Sequence, residues 1–199
     1  MKNKDIFTFR DAEKQAGPVA FSTMLKPAGS ACNLDCGYCY YLDKAAQYGG
    51  RQAVMADDLL ELYIRQYIEA NEVPVVTFCW HGGEPLLLGR DFYRRAVALQ
   101  RKYAAGKRIE NTLQTNGTLV DEAWCELFAE NGFLVGLSLD GPEDIHDAFR
   151  RTKGGRPTFA RVMRTVGMFR RTGVEYNTLS VVNRACEGRG AEIYRFFRD

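Results

Sequence analysis

What most restricts the fold of this chain is a rhythm. Short runs of β-branched and aromatic residues alternate with longer stretches whose apolar positions recur every three or four residues. "VAFSTML" (19–25), "VPVVTFCW" (73–80), "RIENTLQT" (108–115), "FLVGLSL" (133–139) and "VEYNTLSVV" (174–182) read as strands. The spacing predicts helices over 57–70, 90–104 and 158–172, one begun by Asp121 and ended by Asn131–Gly132, and a last one starting at Gly190. In the first helix Leu60, Tyr63, Ile64, Tyr67 and Ile68 share a face, and Asp57 is placed to cap it. Strand then helix, five times over, is the pattern of βα units on a parallel sheet, so the fold class is α/β. No internal repeat or low-complexity linker interrupts it.

In parallel sheets of this kind, ligands sit at the carboxyl ends of the strands. Five loops therefore matter. They are "SACNLDCGYCYYLDK" (30–44), "HGGEP" (81–85), "QTNGT" (114–118), "SLDGP" (138–142) and the "VVNRA" that follows the fifth strand. All the polar and glycine-rich clusters fall on the same expected edge.

The first loop carries Cys32, Cys36 and Cys39, three thiols within eight positions. The N-terminus is charged and lacks the apolar segment of a secretory signal, and the apolar runs are too short to span a bilayer. The expected location is the cytoplasm, where the six cysteines stay reduced and close spacing favours metal or redox roles. Zinc would need a fourth ligand, from His81, Cys79 or Cys125, and usually takes two separated pairs. A tight triplet suits an iron–sulfur cluster better: three thiolates on a four-iron cluster leave one iron open to a small molecule. Cys79 in a strand and Cys125 in a helix read as packed thiols.

The net charge of +2 argues for neither nucleic acid nor membrane. One local imbalance stands out, because residues 150–171 hold eight basic side chains and no acidic one. Such a run is either a solvated face or a site for an anionic partner.

The Cys-x3-Cys-x2-Cys spacing, with Tyr38 before the last cysteine, resembles the signature loop of radical S-adenosylmethionine (SAM) enzymes. The resemblance implies a partial TIM-type barrel, a [4Fe–4S] cluster on Cys32, Cys36 and Cys39, and SAM on the fourth iron. It also implies cofactor contacts for Tyr38, for Gly82, Gly83 and Glu84 toward the methionine amino group, and for Ser138 and Asp140 toward its carboxylate and ribose. Each contact has a plain chemical reason. Glycines admit close backbone approach, a carboxylate pairs with an ammonium, and Ser and Asp can donate to and accept from hydroxyl and carboxylate groups. Each also has a plainer structural reading, as a turn or as core packing. His81 stands where glutamine is frequent in the family, which leaves a proton-carrying role open. His146 reads as fixing a loop through Asp147 or Arg150.

"FCWHGGEPLLLG", "LQTNGTLVD", "LSLDGPEDIHDAFRRTKGGRPTFARV" and "GVEYNTLSVVN" narrow the resemblance, from about Thr23 onward, to anaerobic sulfatase-maturating enzymes. These oxidise a cysteine or serine of a sulfatase to formylglycine. The implied partners are a sulfatase polypeptide or peptide and a reducing electron donor such as flavodoxin or ferredoxin. Family members are longer, with auxiliary-cluster cysteines, a sixth strand and the proposed catalytic base in a C-terminal part. The expectation is therefore an extension (1–18) and an incomplete catalytic domain (19–199), whose raw strand edge makes it poorly stable alone. Two alternatives stay open. One is a peptide-modifying relative that forms crosslinks or thioethers; the other is a non-catalytic metal-binding module.

Overall fold

The rhythm becomes a five-stranded, all-parallel sheet of order β1-β2-β3-β4-β5 in the computed structural model, which describes residues 20–41 and 54–199 with Thr8, Arg10, Gly17 and Pro18. The strands are β1 (Met24–Leu25), β2 (Val75–Trp80), β3 (Arg108–Thr115), β4 (Phe133–Ser138) and β5 (Tyr176–Leu179). The helices are α1 (Asp57–Ala70), α2 (Arg90–Tyr103), α3 (Glu122–Glu130), α4 (Glu143–Phe149), α5 (Phe159–Thr172) and α6 (Gly190–Arg198). Spatial order equals chain order, so each strand reaches its neighbour by a crossover. The register pairs Leu25 with Trp80, Trp80 with Leu113, Thr115 with Leu137 and Ser138 with Leu179. That alignment brings the carboxyl ends of all five strands to one edge.

Period-two burial on β2 sends Val76, Phe78 and Trp80 into the core. Trp80 meets Phe92 and Tyr93 of α2 edge-on, with ring centroids 5.9 and 5.6 Å apart. Its indole N–H needs a buried acceptor and finds Asn111 Oδ1 at 2.8 Å, while the Asn111 and Gln100 amides clasp each other at 2.8 and 2.9 Å. Leu60, Ile64, Tyr67 and Ile68 of α1 are buried, and Tyr63 is packed beside them. Asp121 caps α3 by accepting from Trp124 N at 2.9 Å, and Gly173 ends α5 at φ 72°.

Three expectations are corrected. The cap position of α1 is Ala56; Asp57 lies inside the first turn and pairs with Arg95 at 2.9 Å. The first strand is shorter than 19–25. Only Met24 and Leu25 pair with β2, while Phe21 is tied by side chains, its N–H to Asn71 Oδ1 at 3.1 Å and its carbonyl to the Tyr67 hydroxyl at 3.2 Å; Val19 lies outside the described residues. The fifth strand stops at Leu179, because the chain then turns across the mouth of the sheet: Ser180 Oγ donates to Leu139 O at 2.6 Å and Val181 N to Asp140 Oδ1 at 2.9 Å. The structure also adds α4, which the spacing above does not predict. Its signals are a proline before the first turn and Glu143 and Asp144 within it, where acidic residues favour the positive end of the helix dipole.

The sheet is open. Among the described residues β5 has no outer neighbour, its own residues are mostly exposed, and Val182 just beyond it is 87% exposed. This is the incomplete barrel expected. No helix among the described residues is long and apolar enough to cross a membrane.

Candidate functional site

At the carboxyl edge lies a recess of about 370 Å³. Cys32, Cys36 and Cys39 line it together with Gly82, Gly83 and Ser138. Tyr38, His81 and Arg150 also border it. Among the described residues, no three His, Cys, Asp or Glu side chains are placed to hold one metal ion. All three thiols nonetheless border the recess. A cubane asks for one thiolate per iron. Tyr40 and Tyr41 border the same recess, their ring centroids 4.3 Å apart. Burial raises the Cys32 thiol and pushes Cys36 up to about 11, the Arg150 guanidinium opposing it at Cys36. In the metal-free protein these two are thiols, and cluster binding would release their protons.

The cysteine loop is gripped from both sides by backbone. Gly83 N donates to Gly29 O at 3.0 Å and Glu84 N to Ala31 O at 2.7 Å. On the far side, Asp35 N donates to Arg151 O at 2.8 Å and Gly37 N to Phe149 O at 3.1 Å. The glycine pair is what allows the first contact. A Cβ at Gly83 would stand 2.1 Å from Ala31 O, and one at Gly82, whose φ is 128°, 2.8 Å from Gly29 O. The close approach they permit is thus first of all to the chain's own backbone.

Two carboxylates face away from the recess. Glu84 is fully buried: Oε1 accepts from Leu86 N at 3.0 Å and Thr115 Oγ1 at 2.8 Å, and Oε2 from Asn116 N at 2.8 Å. Burial pushes its carboxyl up to about 7 against those three bonds. The carboxylate expected to meet an ammonium is engaged with protein donors and joins the loops after β2 and β3.

Asp140 behaves likewise. Its Oδ2 accepts from the Tyr38 hydroxyl and from Arg150 Nε at 3.0 Å, and its Oδ1 accepts from Arg150 Nη2 at 3.0 Å and Val181 N at 2.9 Å. Four donors use both oxygens, and through them Asp140 ties the cysteine loop, α4 and the segment after β5 together. The Arg150 guanidinium also lies over the Tyr38 ring, 5.5 Å from its centroid.

Ser138 does face the recess; its hydroxyl accepts from Gln114 Nε2 at 3.0 Å and keeps its own proton to donate. His81 accepts from Gly82 N at Nδ1, 2.7 Å, and burial lowers its pKa. His146 does fix a loop, through partners other than those expected: Nε2 meets Thr158 Oγ1 at 3.0 Å and Nδ1 accepts from Asp140 N at 3.4 Å. Asp147 instead accepts from Thr158 N and Phe159 N at 2.7 and 3.0 Å, ahead of α5. Sequence reasoning missed Arg150 as the partner of Asp140, because nothing local separates it from the other seven cations of its run.

The sequence pattern of the radical SAM superfamily matches residues 27–184. A serine-type anaerobic sulfatase-maturating enzyme of Bacteroides thetaiotaomicron is 47% identical over 177 residues, which cover 88% of this chain and 43% of that protein. A cysteine-type enzyme of Clostridium perfringens is 39% identical over 180 residues, 89% of this chain and 48% of that protein. The solved structure of native anSMEcpe with bound AdoMet superposes with a TM-score of 0.81 at 38% identity, over 87% of this chain and 47% of that one. The chain therefore spans less than half the length of these relatives. Streptococcus suis SuiB, at 19% identity and a TM-score of 0.62, shares the fold alone.

Proposed function

Because the chain belongs to the radical SAM superfamily, we propose that it is the cluster- and SAM-binding part of an anaerobic sulfatase-maturating enzyme, which oxidises a cysteine or serine of a sulfatase to formylglycine. The observation that carries this reading is the recess itself, lined by three cysteines of one loop together with a glycine loop seated on the same backbone. The relatives at 47% and 39% identity supply the substrate class.

The residues fit the cofactors in a definite way. Cys32, Cys36 and Cys39 each give a thiolate to one iron of a [4Fe–4S] cluster. Gly82 and Gly83 present backbone toward the methionyl group of SAM, and Ser138 offers a hydroxyl proton to its carboxylate. Tyr38 walls the site, held there by Asp140 and Arg150. When bound, cluster and SAM supply a radical that takes a hydrogen atom from the target side chain. Glu84 and Asp140 hold the loops in place, and the recess walls limit water.

The substrate is a peptide segment of a sulfatase. The electron donor is a flavodoxin or ferredoxin, and the location is the cytoplasm, where the thiols stay reduced. Residues 19–199 form the catalytic portion behind an N-terminal extension.

The test is anaerobic reconstitution with iron and sulfide, followed by SAM, dithionite and a sulfatase-derived peptide. In the longer protein that contains this chain, 5′-deoxyadenosine and a formylglycine product are expected. A reconstituted protein that holds a four-iron cluster yet releases no 5′-deoxyadenosine would overturn the reading. Release of 5′-deoxyadenosine with crosslinked ribosomal peptides as the only modified products would replace the maturase assignment alone.

A further inference from the structure

We infer that Asn116 is a positioning residue that tunes the cluster through a hydrogen bond to the sulfur of Cys32. This rests on the reading above that Cys32 is a cluster ligand. Asn116 is the first residue past β3 and is 8% exposed. Its backbone N–H and both polar atoms of its side chain have partners. Its backbone N–H donates to Glu84 Oε2 at 2.8 Å. Its Oδ1 accepts from Thr118 N at 3.0 Å and from Thr118 Oγ1 at 2.7 Å. Its Nδ2 donates to Asn33 Oδ1 at 2.9 Å and reaches Cys32 Sγ at 3.8 Å.

The amide orientation is fixed by these partners. A backbone N–H can only donate, so the atom facing Thr118 N is the oxygen. The N–H groups must then face Asn33 and the sulfur. Asn33 completes the ring, because its Nδ2 donates to Thr118 Oγ1 at 2.8 Å. Three side chains, those of Glu84, Asn33 and Thr118, and the Thr118 backbone N–H thus aim one neutral donor at one thiol. Leu34 N, at 3.4 Å, adds a second donor to the same sulfur.

A donor aimed at a ligand sulfur acts on the cluster's electronics. The reduced cluster carries one more electron, part of it on sulfur, so an N–H···S bond stabilises the reduced form more than the oxidised one and raises the reduction potential. Removing the donor lowers that potential and makes the first electron harder to deliver. The anchoring by Glu84 explains why a fully buried carboxylate lies beside the recess without facing it.

The experiment compares wild-type protein with Asn116→Leu and Asn116→Asp, each reconstituted anaerobically with iron and sulfide. Iron and sulfide content, circular dichroism and an EPR-monitored redox titration are recorded. Asn116→Leu removes the donor without adding charge. Asn116→Asp keeps the shape and the acceptor for Thr118, and serves as the second variant if the leucine does not fold. The expected result is a retained cluster with a midpoint potential more negative than wild type in both, further in the aspartate. An unchanged potential in a cluster-bearing Asn116→Leu, or in Asn116→Asp if the leucine does not fold, overturns the inference. So does a folded pair of variants that bind no cluster, since the residue would then be structural only. A wild-type protein that assembles no cluster would instead sink the underlying ligand assignment, and the iron content separates the two failures.

Discussion

Replacing Asp140 by asparagine changes one atom and should cost a large part of the fold's stability. The carboxylate is 0% exposed in its side chain and accepts four bonds, two on each oxygen. All four partners are donors. An amide offers one acceptor atom, so its NH₂ must face two of these groups whichever way it turns: either Arg150 Nη2 and Val181 N, which can only donate, or Arg150 Nε and the Tyr38 hydroxyl, of which only the hydroxyl can turn to accept. The loss of charge adds to this, because the Arg150 side chain is only 9% exposed and would keep its cation without a counter-ion. Breaking one side of a buried ion pair costs about 3–5 kcal/mol, against a total stability on the order of 5–15 kcal/mol for a domain. The assay is equilibrium urea denaturation followed by far-ultraviolet circular dichroism, on Asp140→Asn, Arg150→Met and the double variant. The double variant should recover part of the loss, since it no longer strands a cation. A loss under about 1 kcal/mol in Asp140→Asn, or strictly additive effects in the double variant, would refute the account of Asp140 as the tie between the cysteine loop and the segment after β5.

Three further outcomes follow from the same geometry. Gly83→Ala places a methyl 2.1 Å from Ala31 O, so the glycine loop must lift off the cysteine loop; a lower melting temperature and reduced iron uptake on reconstitution are expected. Cys36→Ala should abolish the four-iron cluster, and a variant with wild-type iron content and EPR signal would remove Cys36 from the ligand set. His146 is buried and its pKa falls to about 4, from burial first and then the nearby Arg150 cation, with Asp140 and Asp147 opposing. The unfolded ring takes up its proton near pH 6.5 while the folded one stays neutral, so stability falls as pH drops from about 6.5 toward 4, by at most about 1.4 kcal/mol per pH unit. The stability difference between wild type and His146→Gln, measured by denaturation across that window, should shrink as the pH falls; a constant difference would sink the assignment.

The strands and the loops that matter were legible because period-two and period-3.6 patterns survive packing, and because parallel sheets gather functional loops at one edge. β3 lies where the sequence put it, and Asp121 and Gly173 mark the helix ends they were expected to mark. Two kinds of feature were not legible. Strand ends depend on what the chain does next, as where Ser180 and Val181 leave the sheet to bind Leu139 and Asp140. The direction in which a carboxylate points depends on donors distant in sequence. Glu84 is answered by Thr115 and Asn116, and Asp140 by Arg150, Tyr38 and Val181. The sequence pattern named loops that the structure brings to one edge, and two of their acids point inward there.

The backbone grip on the cysteine loop bears on what a bound cluster must do. The bonds from Gly83, Glu84, Asp35 and Gly37 involve no thiol, so none of them depends on a metal–sulfur bond. The position of the cysteine loop is therefore set by protein contacts on both flanks, and a cluster held by Cys32, Cys36 and Cys39 need not hold that loop in place by its own bonds.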